Sequence, residues 1–171
     1  MAERKVEIKV PQKGEKLRLV EMAENNAEIT LKNKQKGNQH IIVDMKEALK
    51  LDRLPRRIEC FDISNISGTY MVAGMCVMID GVIKKNLSRR FKIKTVFEQD
   101  DPRCMEEVVT RRLRHSIDKE DDGFGKLPDV IFADGGITQI RAILKAIHNL
   151  EIESEKSLDI RVFGMVKNDK H

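Results

Sequence analysis

The chain has 171 residues, 35% of them charged and 40% hydrophobic, with a net charge of +4, 4% aromatics and no Trp. That length suits one domain, or a domain with an appendage, and the composition suits a soluble globular one. No apolar run is long enough to span a bilayer, and the opening "MAERKVEIKV" lacks the apolar core of a signal peptide, so a cytoplasmic location is expected.

The elements follow in chain order. "VEIKVPQKGEK" opens with an extended piece ended by Pro11 and Gly14. Leu17, Val20, Ala23, Ala27 and Leu31 then make one helical apolar stripe. The polar "NKQKGNQH", with Gly37, predicts a break or fray, with His40 in a loop. "IIVDMKEALKL" reads as a second helix with Ile41, Met45, Ala48 and Leu49 inward. Residues 1–52 thus form a helical lead-in with a thin core, expected to pack on the main unit, residues 53–171.

From Arg57 the period changes from 3.6 to 2. A first strand, about 57–63, puts Ile58, Cys60 and Asp62 on one face and Glu59, Phe61 and Ile63 on the other. A second, about 69–79, is apolar on both faces and belongs inside a sheet. Asp80-Gly81 signals a two-residue hairpin. The third strand, "VIKKNLSRRFKIK", returns with Lys84, Asn86, Ser88, Arg90, Lys92 and Lys94 on one face. "DDPRCMEEVVTRRLRHSIDK" is a helix, with Asp101 as its cap, Asp100 able to share that job, and Met105, Val108, Val109 and Leu113 buried. "DVIFADGG" reads as a buried parallel strand with a carboxylate at its end. A last helix and a last strand, from "LDIRVFGM", follow. His115 and His148 are expected at the surface.

This βββαβαβ order predicts an α/β protein with a ribonuclease H-like mixed sheet, order 3-2-1-4-5, because right-handed crossovers place the fourth strand beside the first. Asp62 and Asp134 then become neighbours. Adjacent carboxylates repel, and a divalent cation removes that penalty; oxygen ligands suit Mg²⁺ or Mn²⁺. Two such ions, about 3.5–4 Å apart, activate water and stabilise the leaving oxygen of a phosphodiester. The expectation is metal-dependent phosphodiester hydrolysis with Asp62 and Asp134 as ligands.

Plainer roles stand beside it. Asp62 could cap a "DISN" turn or accept hydrogen bonds from the Gly68 loop, Asp134 could close the turn into a helix, and Asp101 before Pro102 is ordinary capping. The basic strand has Lys84, Lys85, Arg89, Arg90, Lys92 and Lys94 with no acid between Val82 and Lys94. It could guard a sheet edge or contact phosphates, and the low aromatic content favours duplex DNA over stacked single strands. The three cysteines, with no CxxC pair, argue against a disulfide framework or zinc site and are expected to be inert buried thiols.

The segments "PRRIECFDISNISGT", "RRFKIK", "PDVIFADGG" and "KNDKH" together resemble the UvrC component of the bacterial UvrABC excinuclease over essentially the whole chain. The resemblance implies nucleotide excision repair, with the ribonuclease H-like half of that family's protein making the 5′ cut. The implied partners are damaged double-stranded DNA, UvrA and UvrB. Asp62 matches the family's catalytic Asp in "FDIS", Asp134 the one in "DGG", and Asp101 a further Asp needed for the 5′ cut. Its third catalytic residue is a His downstream of "KNDKH", and its helix-hairpin-helix motifs lie beyond too. His171 matches a different position, so the core is expected to be C-terminally incomplete and inactive alone. The alternative is a noncatalytic DNA-binding or assembly module. A phosphate loop of the actin-like ATPases in "FDISNISGT" would need a second domain.

Overall fold

A computed structural model describes residues 10–66, 70–96, 100–118 and 125–166, the side chains of residues 30–37, 65, 66 and 70 excepted. The elements are α1 (Glu15–Ala48), β1 (Arg57–Ile66), β2 (Tyr70–Ile79), β3 (Val82–Ile83), β4 (Arg89–Lys92), α2 (Asp101–Asp118), β5 (Val130–Asp134), α3 (Ile137–Ser154) and β6 (Arg161–Met165). One mixed sheet has the order β3-β2-β1-β5-β6, with β4 also pairing β2. β1 is antiparallel to β2 and parallel to β5, and β5 is parallel to β6. This is the ribonuclease H-like arrangement that the element order predicts, with β3 and β4 as two parts of the third strand.

Alternation along the strands decides which face is covered. Phe61, Ala73, Met75, Val77, Ile131 and Ala133 pack with Met105, Val108, Val109 and Leu113 of α2 and Ile143, Ala146 and Leu150 of α3. Burying each of the Val, Leu, Ile, Phe and Met side chains is worth about 1.5–3 kcal/mol, so this face holds the fold together. The other face carries Cys60, Asp62, Cys76, Phe132 and Asp134, and only some of it is buried. Phe132 and Phe163 lie side by side there, 5.8 Å between ring centroids.

The covered face holds a charge cluster. Glu59, fully buried, points the same way as Phe61. Its Oε1 accepts from Arg57 Nε at 2.9 Å and from Arg112 Nη2 of α2 at 2.7 Å. Arg112 is itself fully buried, and it also donates to the Lys126 carbonyl (2.8 Å) and to the Ser116 hydroxyl. Burial pushes the Arg112 guanidinium down, and the Glu59 carboxylate acts against that. A charge buried this deep persists only when paired and hydrogen-bonded.

Two expectations change at the N-terminal end. The helix does not break at Gly37: α1 runs unbroken for 34 residues. One interior Gly costs only about 1 kcal/mol relative to Ala, and its Lys and Gln neighbours are good helix formers. His40 therefore lies in a helix. Of the residues expected to face inward near the helix end, Ile41 and Ala48 are exposed and Met45 and Leu49 half-buried, and Ile42, not among them, is the buried one. In the first half of the helix Leu19, Met22 and Ile29 are exposed. The helix meets the sheet at the β2–β3 turn, where Asp80 (φ 48°) and Gly81 (φ 77°) both adopt the left-handed region of a type I′ hairpin. A Cβ on Gly81 would lie 2.2 Å from the Asn38 carbonyl, so only glycine admits this approach.

Removing the acid from the buried cluster strands two cations. Glu59→Gln is expected to lower the unfolding free energy by about 3–5 kcal/mol, the usual cost of breaking a buried pair by deleting one partner. Urea unfolding followed by circular dichroism measures it; an unchanged midpoint would show that the cluster does not hold β1 to α2.

Candidate active site on the open face of the sheet

The last paired positions of β1 and β5 are Phe61 and Ala133, and one residue further come Asp62 and Asp134. Parallel pairing makes these two side chains neighbours on the open face, beyond Cys60 and Phe132. Both are exposed. Asp62 accepts a hydrogen bond from the Ser64 hydroxyl at 2.9 Å. Neither carboxylate forms an ion pair among the described residues. Burial pushes the Cys60 thiol up to about 11, and Cys76, Asp134 and Asp62 push it the same way.

The plainer roles of these aspartates do not match the structure. β1 continues to Ile66, so no turn at "DISN" exists for Asp62 to cap; Gly68 lies outside the described residues. The N-cap of α3 is Gly136, with no side-chain cap hydrogen bond, so Asp134 does not cap it. The turn itself is made by Gly135 at φ 144°, whose N–H donates to the Met165 carbonyl at 3.0 Å. Asp101 is not the cap of α2 either. Asp100 is, accepting from the Arg103 N–H at 3.0 Å. Asp101 occupies the first turn, where its charge helps push the Cys104 thiol up, burial acting first.

Asp101 nevertheless lies at the right end of the sheet. Cys104, one turn into α2, contacts Met71 at the start of β2, sulfur to sulfur 3.5 Å, and Met71 pairs with Asn65 near the end of β1. That is the carboxyl edge of β1. Even so, the described residues contain no group of three or more His, Cys, Asp or Glu side chains placed to hold a metal ion. Asp62 and Asp134 are brought together; Asp101 is not joined to them.

The basic strand is not continuous. β3 pairs Ile83 with Met78 and Val82 with Ile79, while β4 pairs Arg90 with Gly74 and Lys92 with Val72. The two registers differ by three residues, taken up by a 3-10 turn at Lys85–Leu87. An odd offset exchanges faces. Arg90 and Lys92 consequently share the open face with Gly74 and Val72, whereas Lys84 lines a hollow of about 510 Å³ beside Ile42 and Ile79 of the covered side. Lys94 follows β4, exposed, its N–H held at 2.9 Å by Glu107 of α2. The four basic residues therefore form no single face; Arg90 and Lys92 alone flank the acids.

One row now crosses the sheet: Met165, Asp134, Asp62, Gly74, Arg90. Gly74 has nothing within 4 Å of where a Cβ would stand, so the space between the acid and the arginine is open. It belongs to a concavity of about 390 Å³ lined by Asp62, Gly74, Cys60, Cys76, Arg89 and Arg90. Ser64, bonded to Asp62, lies at this site though sequence patterning alone did not single it out, while Arg89, one of the basic-strand residues named from the sequence, also lines the concavity. Cys76 is also a correction, being exposed, while Cys60 is half-buried and Cys104 buried. Of the histidines, His148 is exposed and His115 partly so, both away from the row; His171 lies outside the described residues.

A family model described as the UvrC RNase H endonuclease domain matches residues 46–171, and a second, the UvrC ribonuclease H-like domain, matches residues 1–34. The chain belongs to the UvrC family. It is 39% identical to the UvrABC system protein C of Clostridium acetobutylicum and 40% identical to that of Acetivibrio thermocellus, each over 98% of this chain. It spans 29% of the length of either relative. Among solved structures, an endonuclease V of Ciona intestinalis in complex with DNA aligns with a TM-score of 0.41 and 15% identity, over 84% of this chain and 60% of that one. Among the described residues of this UvrC domain no helix is long and apolar enough to cross a membrane.

Exposed carboxylates with no ionic partner among the described residues contribute little to folding. Asp62→Asn and Asp134→Asn are expected to leave the unfolding free energy within about 0.5 kcal/mol, the range of surface substitutions. Thermal or urea melts check this; a loss of several kcal/mol in either would make these aspartates structural.

Proposed function

We propose that the open face of this UvrC domain is a DNA endonuclease centre that depends on a divalent cation and hydrolyses a phosphodiester 5′ of a lesion during excision repair. One observation carries the reading: Asp62 and Asp134 are exposed, adjacent in register, and aligned across Gly74 with Arg90. The site would take Mg²⁺ or Mn²⁺. Two neighbouring carboxylates with no cationic partner among the described residues fit a hard cation that keeps several waters. When bound, the ion supplies charge stabilisation and an activated water.

The chain's own groups would do the rest. Asp62 and Asp134 hold the ion, and the Ser64 hydroxyl fixes the orientation of one Asp62 oxygen. Arg90 and Lys92 bind DNA phosphates beside the acids, with Lys94 contacting the backbone further out; Lys84, on the covered side, takes no part. Asp101 acts from the carboxyl edge of the sheet. Damaged double-stranded DNA is the substrate, delivered with UvrA and UvrB in the cytoplasm. A second reading, a DNA-binding or assembly module without chemistry of its own, draws support from the lack of a third metal-ligating group beside the two aspartates among the described residues.

Because the chain spans less than a third of its relatives, incision is best measured in the full-length protein with UvrA and UvrB, on a lesion-bearing duplex in Mg²⁺. Asp62→Ala and Asp134→Ala are expected to reduce the 5′ cut by about 100-fold or more, the scale of losing one charge-stabilising group, while binding is kept. Unchanged 5′ cutting in both would overturn the catalytic reading. Loss of the 5′ cut with assembly on the duplex intact would separate it from an assembly role.

Arg90→Ala and Lys92→Ala test the phosphate contacts. Each is expected to weaken duplex binding by this chain and to reduce the slope of log K against log salt by about 1. Unaltered slopes would return β4 to a role in protecting the sheet edge.

A further inference from the structure

Cys60 and Cys76 face each other directly across β1 and β2, one pair of same-face positions before Asp62 and Gly74. Both are free thiols; Cys76 is exposed and Cys60 half-buried, and both line the concavity that holds Asp62. The Asp80 N–H donates to the Arg56 carbonyl at 2.8 Å, which sets the phase of the ladder. Hydrogen-bonded pairs recur every second residue, so Cys60 and Cys76 form one of them. Cα atoms at such a pair are about 5.5 Å apart, inside the range of about 4.4–6.8 Å that a disulfide spans. The Cβ atoms are also about 5.5 Å apart, wider than the preferred 3.5–4.5 Å or so. A bond here would form under strain and reduce readily, as labile disulfides do.

We propose that Cys60 and Cys76 are a modification site: a dithiol pair that small-molecule disulfides oxidise to a cross-strand disulfide beneath the acidic row. The exposed Cys76 sulfur attacks the reagent disulfide as a thiolate, giving a mixed disulfide and releasing one reagent thiol. The Cys60 sulfur, its proton lost to solvent, attacks Cys76 Sγ in that mixed disulfide. A Cys60–Cys76 bond forms and the second reagent thiol leaves. Two protein thiols are oxidised and one reagent disulfide is reduced to two thiols. Nothing in this depends on the endonuclease reading, since the pair is set by register alone.

The pair lies within one tryptic peptide, residues 58–84, while Cys104 lies in another. The 171-residue chain is incubated with excess oxidised glutathione, alkylated in denaturant, digested without reduction and analysed by mass spectrometry. Wild-type peptide 58–84 is expected to lose two hydrogens and to carry no alkyl group. This form should exceed the glutathione adduct about tenfold or more, because the second thiol attacks at a high effective concentration. Cys60→Ser is expected to stop at the Cys76 adduct, and Cys104 to be alkylated throughout. If wild type accumulates the same adduct as Cys60→Ser, links Cys76 between two chains, or leaves both cysteines open to alkylation, the proposal fails.

Discussion

The Glu59 carboxylate, held between Arg57 and Arg112, is the constraint on which the arrangement turns. It lies on the side of β1 opposite Asp62, three residues away. With Glu59 committed to the covered face, the period of two places Cys60 and Asp62 on the open one. A one-residue slip would put Glu59 into solvent and press Asp62 against α2, losing a buried pair and burying an unpaired charge together. The ion pair therefore selects register more than it adds stability. Arg112 extends the effect by holding the Lys126 carbonyl, close before β5, so the strand that delivers Asp134 is tied to the same cluster.

The second consequence is an uneven molecule. α2 and α3 cover one face of the sheet, and among the described residues no helix covers the other. Cys60, Phe132 and Phe163 are only partly buried there, while Asp62 and Asp134 are exposed. Carboxylates on such a face keep their hydration, which is why two can stand side by side without the cost of burial. The fold thus divides its acids between two roles. Glu59 is buried and paired to fix geometry, whereas Asp62 and Asp134 are left wet, with no ionic partner among the described residues.

Much of this was legible. The period change at Arg57, the Asp80-Gly81 turn and the continuous run Val130–Ala133 pointed to the sheet and its order, because each rests on local chemistry. The neighbourhood of Asp62 and Asp134 followed from topology alone. Expectation and structure part where a local rule meets a distant partner. Asp62 shares its strand face with Ile58 and Cys60, yet it is exposed, and Glu59 is the buried one. Its signal was present: Glu59 shares a face with Phe61 and Ile63, and Arg112 follows Val108 and Val109 in the buried stripe of α2. Each looks like an error of patterning alone; together they predict a pair. The unbroken helix α1 is the opposite case, where one glycine was given more weight than its small energetic cost allows.

The basic strand shows why the rest could not be read. Continued from β3, the pairing would set Leu87 against Gly74, because paired positions there add to the same constant as Ile83 with Met78. Arg90 and Lys92 would then point toward α2. The three residues of the 3-10 turn shift the frame by an odd number, and the same two side chains point instead to the open face, level with Gly74 and Val72. Lys84 precedes the turn and keeps the older frame, which leaves it on the other side. Nothing in "KKNLSRR" announces such an offset, since Lys, Asn and Ser suit an edge strand or a turn alike. The placement of basic side chains beside the two aspartates thus depends on a local excursion of backbone, and it is the parity of that excursion, more than the number of basic residues, that decides which of them share the open face with the acidic row.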